Sequence, residues 1–552
     1  MSETQPAITA EQIAAAEALL ALEFTPDQRE QMREIVSGRR EQYENLRAAD
    51  LDNSVPLSLN FNVNAADPAP AAVPRTYPMS AQPPVTRPDH LEDAAFLPLT
   101  QLAELIRTRQ VTSLELTEMY LRRLKRYDDV LECVAAYTEE LAMEQAKRAD
   151  DEIARGLYRG PLHGIPWGAK DLLATRGYPT QWGAAPYIGQ QLDIDAAVVE
   201  RLEEAGAVLI AKLTLGALAN GDVWYGGTTK NPWDTSEGSS GSSAGSGAAV
   251  AAGLVGFAIG TETMGSIVSP STRCGVTGLR PTFGRVSRYG AMALSWSMDK
   301  IGPMCRSVED CALVFSAIYG PDGRDMTISS EPFGWHPARD PNGLRIGFVE
   351  SAFEPEAAET DDPEKQELYR DHLENSVAVL ERMRGLGFEL IPIALPDREI
   401  GGMWTILAAE AAAAFDQITR DGSVDQMKRQ DDSAWPNVFR AARFIPAVEY
   451  INANRLRTQL MQDMARVMSE VDVFISPSHG GNAMLITNYT GHPTVVVPNG
   501  FTRKGSLTSI SFIGGLFKEA ETLSVAKAYQ DATDWHRQHP DLEAALAQRD
   551  DM

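Results

Sequence analysis

The segment Glu237-Gly-Ser-Ser-Gly-Ser-Ser-Ala-Gly-Ser-Gly247 passes directly into Ala248-Ala-Val-Ala-Ala-Gly253. A run rich in glycine and serine is often a flexible linker. Here it continues without a break into small apolar residues, a pattern typical of a tight turn that enters a closely packed helix. The backbone N–H groups of such a turn lie at the positive end of the helix. We therefore predict a buried turn and helix that face a cavity.

Two further unusual loops flank this segment. Gly164-Ile-Pro-Trp-Gly-Ala-Lys-Asp171 lies upstream, and Gly260-Thr-Glu-Thr-Met-Gly-Ser-Ile-Val-Ser-Pro270 lies downstream. Together the three segments resemble the amidase signature family, whose pattern is Gly-Ile-Pro-x-x-x-Lys-Asp, Gly-Gly-Ser-Ser-Gly-Gly-Ser and Gly-Thr-Asp-Thr-Gly-Gly-Ser-Ile-Arg-x-Pro. The resemblance continues through residues 274–287, resumes at residues 472–477 and 491–498, and covers roughly residues 95–540.

The resemblance implies a catalytic triad of Lys170, Ser242 and Ser266. Ser266 matches the nucleophile, Lys170 matches the base, and Ser242 matches the bridging serine, whose peptide bond to the preceding residue is cis in the family. These residue types suit the chemistry, because a serine hydroxyl is a weak nucleophile until a base takes its proton. A lysine is a base only when uncharged, and burial favours that form. The resemblance implies neither a metal nor an organic cofactor.

The same resemblance assigns the oxyanion hole to the backbone N–H groups of Thr263, Met264, Gly265 and Ser266. Preorganised donors of this kind stabilise the negative oxygen of the transition state. Met264 departs from the family's glycine, and we expect its side chain to shape the acyl pocket. Val268 replaces the usual arginine, which predicts the loss of an ion pair and a less polar site. Glu262 for aspartate and Ala244 for glycine are conservative changes.

The residues that bind the substrate are less well specified by the sequence. Trp224, Tyr225 and Trp404 are aromatic residues in variable regions, where they are able to line an apolar funnel. We predict that they bind substrate together with Met264 and Val268. Trp435 and Phe439 are aromatic residues of the same kind, and ordinary packing explains them equally well.

Short apolar runs at residues 207–211, 344–349, 471–475 and 494–498 alternate with helical patterns. This alternation predicts an α/β fold, and the resemblance specifies a central mixed β-sheet covered by helices on both faces. Residues 1–66 form a predicted helical N-terminal extension, with capping boxes at Thr9/Gln12 and Thr25/Gln28. Residues 67–94 form a Pro-rich linker, and residues 95–552 form the catalytic domain.

The composition of the chain limits the classes of binding partner that we expect. The formal net charge of −26 disfavours nucleic-acid binding. Residues 244–260, the longest weakly polar stretch, are short for a membrane span. The four cysteines form no CxxC pair, and the N-terminus lacks a signal peptide, so we expect a cytoplasmic protein without disulfides or zinc.

We expect a small-molecule amide as substrate. The extension is predicted either to form a homodimer contact or to cover the active-site mouth.

The favoured function is hydrolysis of a carboxylic amide through an acyl-enzyme on Ser266, with linear amides as substrates and side activity on esters, anilides or carbamates. Two alternatives stay open within the family: the glutaminase subunit of a tRNA-dependent amidotransferase, and an inactive homologue that only binds ligand. A third alternative is an α/β-hydrolase, because Gly241-Ser-Ser-Ala-Gly245 matches G-x-S-x-G with Ser243 as nucleophile. His479 and His492 are its downstream histidines.

Overall fold

The computed structural model describes residues 8–49, 51, 58–59, 75–81, 84–354, 362–479 and 481–550. The described strands are β1 (Val134–Tyr137), β2 (Pro166–Lys170), β3 (Val208–Leu213), β4 (Val223–Trp224), β5 (Gly227–Thr228), β6 (Lys230–Asn231), β7 (Asp234–Gly238), β8 (Phe257–Glu262), β9 (Thr277–Arg280), β10 (Lys300–Cys305), β11 (Ile346–Val349), β12 (Leu390–Ile393), β13 (Val473–Pro477), β14 (Thr494–Phe501) and β15 (Leu507–Gly514).

The described α-helices are α1 (Ala10–Leu20), α2 (Pro26–Ala48), α3 (Leu99–Arg107), α4 (Ser113–Leu131), α5 (Glu139–Ala154), α6 (Ala197–Glu204), α7 (Ala244–Ala251), α8 (Val268–Cys274), α9 (Val308–Ile318), α10 (Pro363–Gly385), α11 (Trp404–Ala414), α12 (Asp416–Arg420), α13 (Trp435–Ala442), α14 (Ala447–Glu470), α15 (Ala483–Thr490), α16 (Glu519–Asp531) and α17 (Leu542–Asp550). Short 3₁₀ helices connect several of these elements. All four apolar runs predicted from the sequence overlap strands, namely β3, β11, β13 and β14.

Eleven of the described strands form one sheet in the order β1-β3-β2-β8-β10-β9-β14-β15-β13-β11-β12. Strand β2 runs parallel to both β3 and β8, and β11 runs parallel to β12 and β13. The remaining neighbours in the sheet are antiparallel. The sheet is therefore mixed, as predicted.

Helices cover both faces of this sheet. Every residue of β2, β3, β10 and β15 is buried, which requires packing on both sides of a strand. Helix α7 packs against β2 and β8, and α16 packs against β14 and β15. The predicted α/β architecture, with a central mixed sheet flanked by helices, is confirmed.

The N-terminal extension is helical over its described part. Both predicted capping boxes are present, at the start of α1 and at the start of α2. Helix α2 packs against α13 and α14, and Ile13, Phe24, Met32 and Ala441 form a small apolar cluster. The extension thus uses an apolar face against its own chain. Residues 52–57 and 60–66 lie outside the described residues.

The Pro-rich segment lies partly outside the described residues, at positions 67–74 and 82–83. Residues 75–81 and 84–88 have no regular secondary structure, whereas the end of the predicted linker lies in a 3₁₀ helix over Leu91–Phe96. The Ser80 backbone N–H and hydroxyl donate to the Glu309 carboxylate at 2.6 and 2.8 Å. Arg75 donates to the carbonyl of Ser316 at 3.2 Å. Among the described helices, none is long and apolar enough to cross a bilayer.

Candidate active site

Lys170 is the last residue of β2, and its side chain is completely buried. Its side-chain nitrogen Nζ lies 2.8 Å from Ser242 Oγ, 3.0 Å from Ser243 Oγ and 2.9 Å from Thr261 Oγ1. Burial lowers the pKa of Lys170 well below its ordinary value, and the more distant charges of Asp299 and Glu262 only partly oppose this. The arrangement therefore favours an uncharged amine that faces hydroxyl groups.

The neighbouring Asp171 is not the partner of Lys170. Its carboxylate accepts a hydrogen bond from Lys212 Nζ at 2.9 Å, and both side chains are completely buried. Lys212 also donates to Thr180 Oγ1 at 2.9 Å. The charge of Asp171 is therefore paired with that of Lys212. The hydrogen-bond partners of Lys170 are hydroxyl groups and one carbonyl oxygen.

Ser242 lies in the turn before α7, and the Gly241–Ser242 peptide bond is cis. The Ser242 side chain is 1% exposed. Gly241 packs so closely on the neighbouring loop that a Cβ there would lie 1.8 Å from the Gly221 carbonyl oxygen. Every residue of α7 is buried, which confirms the predicted turn and buried helix.

The other serines of this turn have partners of their own. Ser246 Oγ donates to the Ile259 carbonyl at 3.1 Å, and Ser239 Oγ donates to the Ser240 carbonyl at 3.0 Å. Ser243 Oγ donates to the Thr261 carbonyl at 3.1 Å and accepts from the Thr261 N–H at 3.1 Å. Both Ser242 and Ser243 contact Lys170, but the Ser243 hydroxyl is also bound to the Thr261 main chain, whereas the Ser242 hydroxyl contacts only Lys170 among the described residues.

Ser266 lies in the short loop between β8 and α8, and it is partly exposed. The Ser243 N–H donates to the Ser266 carbonyl at 3.2 Å, so the two serine-bearing segments lie side by side. Gly265, with φ of +102°, provides a left-handed turn just before Ser266. The fold therefore brings together three segments that are far apart in the sequence.

The loop before α8 presents consecutive free backbone donors. The N–H groups of Thr263, Met264, Gly265 and Ser266 donate to no acceptor among the described residues. By contrast, the next two N–H groups, of residues 267 and 268, donate to the Glu262 carboxylate at 2.8 and 2.9 Å. Free N–H groups of this kind form a ready site for an oxyanion.

The Glu262 carboxylate belongs to a buried ion pair behind this loop. It accepts from Arg280 Nη1 at 2.8 Å and from Asn488 Nδ2 at 2.9 Å. Burial by itself raises the pKa of Glu262, but the charges of Arg280 and Lys300 outweigh it and lower that pKa to about 2. Glu262 is therefore paired with Arg280, and its carboxylate also holds the N–H groups that follow the loop.

A cavity of about 380 Å³ borders this constellation. Its lining includes Thr261, which binds Lys170, and Thr263, the first residue of the loop with free donors. Much of the remaining lining is apolar, including Leu172, Met292, Leu294 and the half-exposed Trp296. A cavity of this size and character is typical of a small-molecule site. Trp296 lies outside the motifs, and no local pattern marks it as a binding residue.

The predicted substrate-binding residues lie elsewhere. Trp224 is buried with its ring 4.7 Å from that of Tyr225, whose hydroxyl accepts from Gln181 at 2.6 Å. Trp404 is partly exposed at the start of α11, and Met264 is partly buried. Val268 lines a much smaller internal space beside Arg280. None of the five lines the 380 Å³ cavity, so their contact with substrate stays a prediction.

Trp435 and Phe439 are packing residues. Both are buried, with stacked rings whose centroids lie 5.2 Å apart, and the Trp435 indole donates to the Leu218 carbonyl at 2.9 Å. Within the part of the chain that the structure describes, no three or more Cys, His, Asp or Glu side chains are grouped as metal ligands.

The α/β-hydrolase interpretation is not supported by this geometry. Ser243 is completely buried and its hydroxyl is bound to Lys170 and Thr261. His492 contacts Thr490 Oγ1 at 2.8 Å, and burial lowers its pKa to about 4. The His479 ring packs against His372 with centroids 5.7 Å apart. Neither histidine forms a hydrogen bond with Ser243 among the described contacts.

Comparison with known proteins agrees with the geometry. The model of the Amidase family matches residues 115–496. The chain belongs to the amidase family. The glutamyl-tRNA(Gln) amidotransferase A-subunit of Methylococcus capsulatus is 34% identical over 488 residues, which cover 80% of this chain and 98% of that protein. The corresponding protein of Chloroflexus aggregans is 34% identical, over 79% of this chain and 96% of its own length.

Solved structures of the family have the same fold. The peptide amidase from Stenotrophomonas maltophilia is 28% identical and superposes with a TM-score of 0.69, covering 82% of this amidase-family chain and 100% of that chain. A 6-aminohexanoate cyclic dimer hydrolase, 23% identical, has the same fold with a TM-score of 0.69 over 81% of this chain and 99% of its own. The family and its solved relatives support an amide-hydrolysing enzyme.

Proposed function

We propose that this protein hydrolyses a carboxylic amide through an acyl-enzyme on Ser266, with Ser242 as proton relay and Lys170 as base. The observation that carries the proposal is the 2.8 Å contact between Lys170 Nζ and Ser242 Oγ, in buried surroundings that lower the pKa of the amine. A charged ammonium has no lone pair to take a proton, whereas a neutral amine does.

Acylation begins with proton transfer from Ser266 through Ser242 to Lys170. Lys170 takes the Ser242 proton while Ser242 takes the proton of Ser266, whose oxygen attacks the amide carbonyl carbon. The negative oxygen that forms accepts hydrogen bonds from the free N–H groups of residues 263–266. The C–N bond then breaks, and Ser242 returns a proton to the leaving nitrogen, which departs as ammonia or an amine.

Deacylation uses the same groups in the same order. A water molecule takes the place of the leaving amine and gives its proton to Ser242, which is again coupled to Lys170. The hydroxide attacks the ester carbonyl carbon, the bond from that carbon to Ser266 Oγ breaks, and Ser242 returns the proton to Ser266 Oγ as the acyl group leaves as a carboxylic acid. The net reaction is amide plus water to acid plus amine, and no cofactor enters the balance.

Covalent labelling tests the nucleophile directly. A fluorophosphonate probe is expected to modify Ser266, with the modified peptide identified by mass spectrometry. Ser266→Ala is expected to abolish labelling, while Ser243→Ala, a buried serine of the same turn, is expected to retain it. Labelling at Ser243, or no labelling of the folded wild-type protein, contradicts the proposal; the second result favours an inactive ligand-binding homologue.

The substrate's apolar part is proposed to occupy the 380 Å³ cavity, with Trp296 at its exposed side. A panel of linear amides, anilides, carbamates and esters, graded in apolar size, tests this. We expect kcat/KM to rise with apolar size up to the cavity limit, and Trp296→Ala to reduce that gain. Trp224→Ala, at a buried aromatic outside the cavity, is the matched comparison; equal effects of both contradict the assignment.

The second candidate function is that of a component of an amidotransferase complex. It is favoured by 34% identity to the glutamyl-tRNA(Gln) amidotransferase proteins over almost their full length. The two functions differ in what the isolated protein does. A stand-alone amidase hydrolyses amides from the panel without a partner. If the purified chain releases ammonia only from glutamine, and only with partner subunits present, the second candidate replaces the first.

Two further expectations belong to this proposal. A cytoplasmic location is supported by four free, buried cysteines.

A homodimer contact through the extension needs a surface beyond the face that α2 packs on α13 and α14. Light scattering of the full chain measures the oligomeric state, and a monomer contradicts the dimer.

A further inference from the structure

Lys300 is a buried lysine that the proposed mechanism does not use. It is the first residue of β10, stands opposite Glu262 in the antiparallel pairing with β8, and is 2% exposed. Its Nζ donates to the Thr263 carbonyl oxygen at 3.3 Å and to the Met298 carbonyl. Among the described residues it forms no ion pair within 4 Å. Lys300 is thus a buried amine whose described hydrogen-bond partners are carbonyl oxygens.

The Thr263 carbonyl is one end of a peptide whose other end is the Met264 N–H. That N–H donates to no described acceptor and is one of the four free donors of the loop. A donor placed on the carbonyl of a peptide polarises it and makes its N–H a stronger donor. Lys300 therefore acts on the peptide that carries one of the four free donors, the Met264 N–H.

Thr263 is held at a second point by the residue next to Lys300. Its hydroxyl donates to Asp299 Oδ1 at 2.6 Å, and Asp299 Oδ2 accepts the N–H groups of Leu294 and Ser295 at 2.8 and 2.9 Å. Side chain and carbonyl of Thr263 are thus fixed by two consecutive residues. This fixes the plane of the following peptide, which sets the direction of the Met264 N–H.

We propose that Lys300 is a positioning residue that strengthens the oxyanion hole by donating to the Thr263 carbonyl and polarising the Thr263–Met264 peptide. The inference rests on the proposed acyl-enzyme at Ser266. It predicts that Lys300 matters for the transition state and not for the bound amide, whose neutral carbonyl gains less from a strong donor.

Four charged groups surround Lys300 and bear on its charge. Burial and the neighbouring cation Arg280 lower the pKa of Lys300 well below its ordinary value, while Glu262 and Asp299 oppose this; Arg457 also lowers it. The hydrogen bond to the Thr263 carbonyl is retained in either form, because a neutral amine still has two N–H donors.

Replacement of Lys300 by methionine and by glutamine tests the proposal. Methionine matches the length without a donor, and glutamine keeps a neutral donor. For Lys300→Met we expect kcat to fall about 10- to 100-fold with KM changed less than about twofold. The affinity for a boronic acid, which forms a tetrahedral adduct with the serine, is expected to fall in parallel. Lys300→Gln is expected to lose less, about threefold to tenfold.

Met304→Leu is the matched control, because Met304 is buried on the same strand and its main-chain pairing is undisturbed. It is expected to leave kcat and boronate affinity unchanged. Boronate affinity of folded Lys300→Met within twofold of wild type overturns the proposal. The proposal is also overturned if Lys300→Met lowers kcat/KM by raising KM and not by lowering kcat. If the methionine variant does not fold, Lys300→Gln decides: boronate affinity equal to that of wild type overturns the inference.

Fluorophosphonate labelling of the wild-type protein separates this inference from the proposed function. If wild-type Ser266 is not labelled, the proposed function fails, and the inference about Lys300 is overturned with it. If wild-type Ser266 is labelled and the Lys300 variants match wild type, only the role of Lys300 fails.

Discussion

Lys170 and Lys212 lie on neighbouring parallel strands, and both side chains are completely buried. Lys212 forms a 2.9 Å ion pair with Asp171. Lys170 contacts hydroxyl groups of Ser242, Ser243 and Thr261 and has no carboxylate within ion-pair distance among the described residues. One lysine is neutralised by a counter-ion, whereas the other is placed where losing its own charge is favourable.

The difference shows how one residue type serves two purposes in one sheet. Desolvation acts on both amines, and it lowers the pKa of both. At Lys212 the adjacent carboxylate partly offsets desolvation, and removal of either partner leaves an uncompensated buried charge. At Lys170 only the more distant carboxylates of Asp299 and Glu262 oppose the lowering of the pKa. The chemical role of a buried lysine is therefore decided by whether a carboxylate reaches it.

The largest expected effect is on catalysis by Lys170→Ala. Without the base, Ser242 has no group to receive its proton, and we expect kcat/KM at neutral pH to fall by about 10³- to 10⁴-fold. The fold is expected to survive, because no buried counter-ion is left unpaired. Circular dichroism and amide turnover check the two parts. Near-wild-type activity of this variant would falsify the assignment of the base.

The second-largest effect is expected on the stability of the fold when Lys212 is replaced. Lys212→Met leaves the Asp171 carboxylate buried without its partner, so we expect the free energy of unfolding to fall by about 3–5 kcal/mol. Urea denaturation at pH 7 measures this. The double variant Lys212→Met/Asp171→Leu is expected to recover most of the loss. If Lys170→Met is as destabilising as Lys212→Met, the contrast between the two sites is lost.

The third effect is the pH dependence of turnover. Because catalysis needs neutral Lys170, kcat/KM is expected to rise about tenfold per pH unit below the lowered pKa of Lys170 and then level off. Between that pKa and the ordinary value of 10.5 the unfolded chain binds more protons, so the contribution of Lys170 to stability also rises with pH in this window. A pH–rate profile that still rises steeply near pH 10 argues against a neutral base.

The smallest effects are expected at the residues of the rival hydrolase interpretation. Ser243→Ala removes one hydroxyl from Lys170 but leaves the Ser242 contact, so we expect kcat to fall less than about tenfold. His492→Ala is expected to change kcat by a similarly small factor. Ser242→Ala is the matched comparison and is expected to lose about 10³-fold. Equal losses in Ser242→Ala and Ser243→Ala contradict the relay assignment.

Several features of the site were predictable because they depend on local patterns. The buried turn and helix after residue 237 follow from small residues, which alone permit such close packing. The capping boxes of α1 and α2 were found by their spacing. The apolar runs of β3 and β14 are long enough to be recognised as buried strands. Motif order then identified Lys170, Ser242 and Ser266 as candidates.

Other features were missed because their signal is not local. Strand β2, Pro-Trp-Gly-Ala-Lys, has no clear alternation, and it is a strand because it pairs with β3 and β8. Arg280 at the end of β9 pairs with Glu262 at the end of β8, and this contact between two strands is not visible in either motif. Trp296 and the cavity arise where the loop of residues 288–299 meets β8.

The amino-acid sequence by itself determined the family, the elements rich in local pattern, and the identity of the candidate nucleophile, relay and base. Only the tertiary structure decided the state of those groups: which lysine pairs with Asp171, which N–H groups stay free, and which cavity adjoins them. The physical reason is that a pKa and an unpaired donor depend on what surrounds a group in space. The fold supplies those surroundings from residues that are far apart in the sequence.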